Sequence, residues 1–475
     1  MTAPEGPAAA GARRPRVVVV AMKPQLRGRI RRNVQTLLDM GAEVLVVTVD
    51  GGKDFRQGLD DPRLHVRFEQ PLSVLTGFNH ALRLALGRGS ARRPALPPPP
   101  DPTAPVPAQP ALQLLARLPL GAARRARRDL IRGTRRVLLP WHRVSLWADF
   151  WRRSALTAVR AKPDLVVSSD VPGIVGAAIA ARRLGVKHLH DCHELYLEST
   201  HLLPVEKRLL APLEKRLMLG ADTVTCVNQS IADEYRARYG VDSVVVRNCA
   251  PRPRGTARLD IRQLAGLPDD ELVVLYQGGF APGRGLDVVV RAAAGLPART
   301  SLVLLGDGHH RAELERLVEE LGVGHRLRFV AAVPPADLLP LTATATVGVV
   351  PYQPVSLNNR LALPNKVFEY TGAGVPLVVA DAPELRRVVT EGACGEVYDP
   401  YDPDSLVSAL ARVLDPAGYD RTRAAAAAYG RDNCWEVERE KLVSALTGLS
   451  PLWPSAPEPS APTQPAAAAG EPRRA

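Results

Sequence analysis

Residues 275–296, LYQGGFAPGRGLDVVVRAAAGL, begin as an apolar run, break into a loop holding Gly278, Gly279, Gly283 and Gly285, and continue as a helical pattern from about Leu286. A strand that enters a helix through such a loop is half of a βαβ unit, and βαβ units build parallel sheets. The same alternation recurs downstream, with apolar runs at 300–308, 326–333, 345–352, 375–381 and 394–400 after the first at 271–279. Upstream it appears at 16–22, 43–50, 63–70, 163–170, 186–194, 221–228 and 242–248. These spacings predict two doubly wound, Rossmann-like α/β domains facing a cleft, because open parallel sheets bind ligands beyond the carboxyl ends of their strands.

Composition sets the boundaries. The chain has 475 residues with 46% hydrophobic content, enough for two cores, and many of its 44 prolines fall in two Pro/Ala-rich stretches, 95–112 and 450–472. The expected organisation is a disordered start (1–14) and an N-terminal acceptor-side domain (15–250) carrying a disordered Pro-rich insert (88–112) and a basic helical segment (113–160). A Pro/Arg/Gly linker (251–262), a C-terminal domain (263–430), a closing helix (431–448) and a disordered tail (449–475) follow. Five scattered cysteines without CxxC spacing suggest neither a disulfide frame nor a zinc site, so a reducing cytoplasm is the expected setting. No signal peptide or membrane-spanning run is evident. The net charge of +13 is concentrated: residues 113–153 hold eleven Arg against two Asp and no Lys or Glu, a local +9. That asymmetry argues against a uniformly basic nucleic-acid binder.

The glycine loop lets backbone N–H groups approach an anion at a helix N-terminus, and Arg284 adds a guanidinium able to grip phosphate. The loop is not the Walker pattern, and the same glycines would equally serve a tight connection. Gly306-Asp307-Gly308 repeats the arrangement after the next strand, where an ordinary Asp/Gly turn is the plainer reading. In LALPNKVFEYTGAGVPLVVAD (361–381), Pro364 suits a helix start and Lys366, Glu369 and Tyr370 share one face. A carboxylate there can accept hydrogen bonds from a ribose diol while the lysine neutralises phosphate; the alternative is an exposed Lys–Glu pair. LHDCHELYLEST places His190, Asp191, His193, Glu194 and Glu198 at a strand exit, where histidine can donate a hydrogen bond or relay a proton. No metal-ligand spacing such as HExxH appears, so no metal is expected. At the first strand's end, Lys23 and Arg27 open a Lys/Arg/Gly loop that reads as an acceptor wall or a solvated basic face.

The order of these motifs over roughly 15–448 resembles the family 4 retaining glycosyltransferases of the GT-B fold. The resemblance implies sugar transfer from a nucleoside-diphosphate sugar without a bound cofactor, the C-terminal domain holding the donor and the N-terminal domain most of the acceptor. It implies donor binding by Glu369 and by the loop of Gly278, Gly279 and Arg284, and a place for His193 near the reacting centre. The reading of the residues adds Gly306, Asp307, Asn365 and Lys366 to the donor side, makes His193, Arg284 and Lys366 the catalytic candidates, and sets Lys23, Arg27 and Glu194 on the acceptor side. The chain departs from the family's pattern twice. Leu361 stands eight residues before Glu369, where the family has a glutamate contacting the transferred sugar, and Gly278-Gly279 stands where the diphosphate loop commonly has Gly-Arg. Lys366 is the candidate for the missing cation. The basic stretch 113–153, with Trp141, Trp147, Phe150 and Trp151, suggests amphipathic helices resting on the anionic inner face of the plasma membrane, near a glycan or lipid-linked acceptor; aromatic packing into the core is the alternative. A nucleotide-sugar 2-epimerase of the same architecture and a degenerate carbohydrate-binding protein are the competing functions.

Overall fold

A parallel strand covered on both faces has no polar side to show, which is why the strand sequences read as unbroken valine and leucine runs. In the computed structural model, which describes residues 13–26, 28–50, 55–56, 58–73, 122–200, 202–253, 259–450 and 453, with side chains of 122–140 excepted, these runs become thirteen strands in two sheets. The N-terminal sheet comprises β1 (Arg16–Val20), β2 (Glu43–Val49), β3 (Leu64–Glu69), β4 (Leu165–Ser169), β5 (Lys187–Cys192), β6 (Thr223–Cys226) and β7 (Val244–Val245), in the order β3-β2-β1-β4-β5-β6-β7. The C-terminal sheet comprises β8 (Leu272–Gln277), β9 (Thr300–Leu305), β10 (Leu327–Val330), β11 (Val347–Val350), β12 (Leu377–Ala380) and β13 (Gly395–Tyr398), in the order β10-β9-β8-β11-β12-β13. Every pairing among these strands is parallel; β1 lies against β4 with Val18 opposite Val166, and β8 against β11 with Val274 opposite Val347.

Both sheets reverse their strand order once, at β1/β4 and at β8/β11. A crevice opens at such a switch point. The N-terminal crevice is bordered by Lys23 after β1 and Asp170 after β4; the C-terminal one by Gly278 after β8 and Tyr352 after β11. The two crevices face each other across contacts between the domains. Asn248 Nδ2 donates to Asn365 Oδ1 at 2.7 Å, Asn228 Nδ2 to Leu361 O at 2.8 Å, and Ser230 N to Glu384 Oε1 at 2.9 Å.

Three expectations change. The segment expected as amphipathic helices lying on a membrane is one helix, Ala122–Ala161, and three of its four aromatic residues turn inward. Trp147 and Phe150 are buried, and Trp151 Nε1 donates to Pro172 O at 3.0 Å; only Trp141 is largely exposed, at 62%. The reason is hydrophobic: these rings cover the apolar helix Asp170–Leu184 and β1, a larger apolar gain than an interfacial position offers. The linker expected over 251–262 ends early, since the helix Ile261–Ala265 begins within it, capped by Asp260. The first residues assigned to the tail, from 449, are packed. Leu449 and Trp453 pack with Trp435, Leu442 and Leu446 of the helix Trp435–Thr447 against the N-terminal core, so the closing helix returns to the first domain. The expected disordered insert 88–112, residues 113–121 and Arg27 lie outside the described residues.

Candidate functional site

The C-terminal half of the site is built from one helix laid over one strand exit. Pro364 caps the helix Asn365–Gly372, and the three residues predicted to share a face all meet the end of β8. Tyr370, fully buried, donates its hydroxyl to Leu275 O at 2.8 Å and accepts from Gln277 N at 3.0 Å. Glu369 Oε2 accepts from Gln277 Nε2 at 2.6 Å, and Gln277 Oε1 is held in turn by Thr342 Oγ1 at 2.8 Å. The other oxygen of Glu369 has no hydrogen bond among the described residues. Lys366 reaches the loop itself: a Cβ on Gly278 would lie 2.8 Å from its Nζ.

Two glycines are required by close approach. Gly285 has φ +67°, and a Cβ there would sit 2.1 Å from Pro351 O; Gly306 has φ +145°, and its Cβ would sit 2.1 Å from Gly278 O. Each side chain would therefore strike backbone as well as strain it. Their absence brings the glycine loop against the ends of β9 and β11. Asp307 stays at the surface, its Oδ1 accepting from Gly308 N at 2.8 Å, while Gly279 O accepts from the Tyr276 hydroxyl at 2.9 Å.

Two cations converge here without a counter-ion. The Arg284 guanidinium lies 4.2 Å from the Tyr352 ring centre, and Lys366 Nζ lies 5.4 Å from the same ring and 4.9 Å from that of Tyr276. Neither forms a salt bridge among the described residues. Burial, with the neighbouring Arg284 charge, pulls Lys366 down to about 8 against the favourable field of Glu369. Arg284 is likewise lowered by burial. A place where two like charges are desolvated together is electrostatically poised for an anion.

The N-terminal wall is an ionic network. Asp191, at the end of β5, is fully buried and accepts from Arg29 Nε at 2.8 Å, Asn33 Nδ2 at 2.7 Å, Thr225 Oγ1 at 2.6 Å and His193 Nε2 at 2.8 Å. Burial alone would raise its pKa, but Arg29 and His193 outweigh that and hold it well below the ordinary carboxylate range. His193 is thereby oriented; its Nδ1 is 3.6 Å from Asp170 Oδ2, beyond hydrogen-bond length, and remains able to serve a ligand. Asp170 is buried with φ +52°, a left-handed conformation costly for a non-glycine residue, and pairs with Lys23 Nζ at 3.2 Å. Glu194 is half-buried, and burial together with Asp170 raises its pKa.

The structure thus brings together Gly278, Arg284, Lys366 and Glu369 on one side and Lys23, His193 and Glu194 on the other. It places Asn365 in an interdomain contact and Asp307 at the rim. His190 is set apart from the cleft: it and His188 share Ser168 Oγ at 2.8 Å each, and burial lowers them to about 4 and about 3 respectively. Glu198 pairs with Arg238 at 2.6 Å. Sequence reasoning passed over Tyr352, Asp170, Arg32 and Asn358. The first two directly follow apolar runs that become β11 and β4, which could have flagged them; Arg32 lies over Trp435 at 5.6 Å, and nothing local marks Asn358. Leu361 packs with Leu357 against the apolar cluster of Ile174, Cys192 and Leu195. Among the described residues no group of three His, Cys, Asp or Glu is arranged to hold a metal ion, and no helix is long and apolar enough to cross a membrane. The five cysteines are free and buried.

Two doubly wound domains with facing switch points define the GT-B architecture, and solved structures share it. Sucrose-phosphate synthase from Thermosynechococcus elongatus superimposes with a TM-score of 0.65 at 18% identity over 92% of this chain and 99% of its own. Anabaena HepE, solved with UDP-glucose, gives 0.61 at 17% identity over 92% of this chain and 100% of its own. The family model for Glycosyltransferase Family 4 matches residues 29–250 and that for Glycosyl transferases group 1 matches 258–432, together most of the sequence. The chain belongs to the family 4 glycosyltransferases. A D-inositol 3-phosphate glycosyltransferase of Acidothermus cellulolyticus is 30% identical over 50% of this chain and 56% of its own length. A GDP-mannose-dependent alpha-(1-6)-phosphatidylinositol monomannoside mannosyltransferase of Mycolicibacterium smegmatis is 26% identical over 48% of this chain and 63% of its own. The chain therefore spans little more than half the length of such curated relatives.

Proposed function

We propose that this protein transfers a sugar from a nucleoside-diphosphate donor to a glycan, lipid-linked or small-molecule acceptor, with retention of anomeric configuration. The observation that carries this reading is the pair of cations, half-buried Arg284 and buried Lys366, both over the Tyr352 ring without a salt-bridge partner among the described residues, with Lys366 one helical turn from Glu369. A nucleoside diphosphate matches that pattern: pyrophosphate on the cations and glycine-loop N–H groups, ribose hydroxyls on the free oxygen of Glu369. Gly278, Gly279 and Gly306 line the pyrophosphate path, with Asp307 and Asn365 at its edges. The UDP-glucose bound by HepE and the GDP-mannose dependence of the mycobacterial relative supply candidate donors.

As the glycosidic bond breaks, negative charge grows on the departing diphosphate. Arg284 and Lys366 are fixed where that charge develops, so they stabilise the transition state without reorganising. His193, oriented by Asp191, presents Nδ1 to a sugar hydroxyl near the reacting carbon. Lys23 stands on the acceptor side, to which the sequence also assigns Arg27, and Glu194 stands between acceptor and donor sugar. The closed cleft holds the acceptor oxygen on the same face of the sugar as the departing diphosphate, which can take up the acceptor's proton, while limiting water. Titration of the full chain with UDP, GDP, ADP and their sugar conjugates tests the reading. One base series raises the melting temperature by roughly 3 °C at a hundredfold excess over Kd. No shift with any of them overturns it.

The acceptor side is further proposed to meet an anionic membrane through the basic stretch 113–153. Exposed Trp141 supports this, as do Val205 and Leu209, exposed at 44% and 55% on the helix Pro204–Leu219, which Arg143 joins through Glu206 at 3.1 Å. Co-sedimentation with phosphatidylglycerol vesicles is expected, and to be lost when the arginines of 113–153 become glutamine. Binding that survives those changes contradicts the lipid contact.

A further inference from the structure

The segment from Pro351 to Leu361 runs between the two halves of the site. At its start, Gln353 N donates to Gly283 O at 3.2 Å, tying it to the glycine loop. At its end, in the short helix Leu357–Arg360, Asn358 crosses to the other domain. Its Oδ1 accepts from Leu195 N and its Nδ2 donates to Glu194 Oε2, both at 2.9 Å. Leu357 and Leu361 flank this bridge with apolar contacts to the same strand exit.

The bridge leaves Glu194 in an unusual state. One carboxylate oxygen is pinned from the opposite domain, while Oε1 has no hydrogen bond among the described residues. The group is half-buried beside Asp170, with Lys23 opposing that charge, and its field also reaches Arg284 across the cleft. Oε1 keeps solvent access, so a hydroxyl of a bound ligand can reach it and form a charge-assisted hydrogen bond there. Whatever fills this space lies between the pyrophosphate cations and the N-terminal wall, which is where a sugar joined to that pyrophosphate must project. Asn358, which holds Glu194, is within one turn of Leu361, whose side chain offers a hydroxyl nothing.

We infer that Glu194, held by Asn358 across the closed cleft, accepts hydrogen bonds from the hydroxyls of the transferred sugar and so selects the sugar of the donor. This rests on the donor site described above. It also makes recognition conditional on closure, because the residue that aims the carboxylate belongs to the facing domain.

Calorimetry on the full chain with UDP, UDP-glucose, UDP-N-acetylglucosamine, GDP and GDP-mannose distinguishes the possibilities. Glu194→Gln keeps an acceptor for Asn358 but loses the charge. It is expected to leave the diphosphate affinity within about twofold and to weaken the sugar conjugate roughly ten- to a hundredfold. Asn358→Ala, which frees the carboxylate, is expected to act in the same direction with a smaller loss. Should Glu194→Gln fail to fold, Glu194→Asp, which withdraws the charge by one methylene, gives the same comparison. Equal losses for diphosphate and conjugate would mean that Glu194 acts only through closure and overturn the inference, as does no loss at all. A wild-type chain that binds neither UDP nor GDP removes the donor site itself, and the inference with it.

Discussion

Lys366→Met is expected to weaken nucleoside-diphosphate binding roughly ten- to a hundredfold and to lower turnover by about two to three orders of magnitude, without lowering the melting temperature. Lys366 is 8% exposed, rests against Tyr276 and Tyr352, and has no ion-pair partner among the described residues. Replacing such a charge by an apolar chain of similar length removes a desolvation penalty, so stability is unchanged or rises. A residue whose loss harms function and spares the fold is held there for its charge. The pH dependence follows from the same burial, which brings the ammonium down to about 8 with Arg284 as a further cause. An anion binds the protonated form. Below pH 8 the lysine is charged and affinity is level; above it the charged fraction falls tenfold per pH unit, and affinity falls with it until the pKa in the complex is reached. In the Met variant that slope is absent. Calorimetric titration of UDP and GDP between pH 7 and 9.5 measures both effects, and unchanged affinity in the variant defeats the assignment of Lys366.

Arg29→Ala is expected to destabilise the chain by about 3–5 kcal/mol, the cost of leaving a buried carboxylate without its cation. Arg29 is 3% exposed and meets Asp191 through Nε and Nη2, with Nη2–Oδ1 at 2.6 Å. The remaining donors, Asn33, Thr225 and His193, cannot neutralise the charge unless the imidazole is protonated. Adding Asp191→Asn to Arg29→Ala removes the unpaired charge and is expected to recover part of the loss, a non-additivity that isolates the pair. Denaturant midpoints of the two single variants and the double variant give the measurement. A loss below about 1 kcal/mol, the range of exposed pairs, would show that water reaches the network. Because Asp191 also holds His193, Arg29→Ala links a stability change to a weaker hold on the donor sugar.

Much of this molecule is set by short-range pattern. Short, valine-rich apolar runs such as RVVVV and LVVSS read as strands covered on both faces, and their alternation with helical periods pointed to parallel sheets. The grouping of Lys366, Glu369 and Tyr370 followed from helical geometry, and all three do meet the exit of β8. Histidine and acidic residues after β5 marked the other wall for the same local reason. Tertiary structure decided what no window of residues contains. Arg29 finds Asp191 162 positions away, and Asn358 finds Glu194 164 positions away; the first pairing exists because the fold sets the helix Gly28–Asp39 beside β5, the second because the two domains face each other. Likewise the aromatic residues of the helix Ala122–Ala161 have a pattern compatible with lipid or core, and the apolar face of the helix Asp170–Leu184 made the choice. Periodicity assigns a side chain to a face; what that face meets depends on long-range packing, which is why the sequence alone determined the sheets and the shared face of Lys366, Glu369 and Tyr370, and only the assembled domains determined which of the charges near the strand exits are paired and which are not.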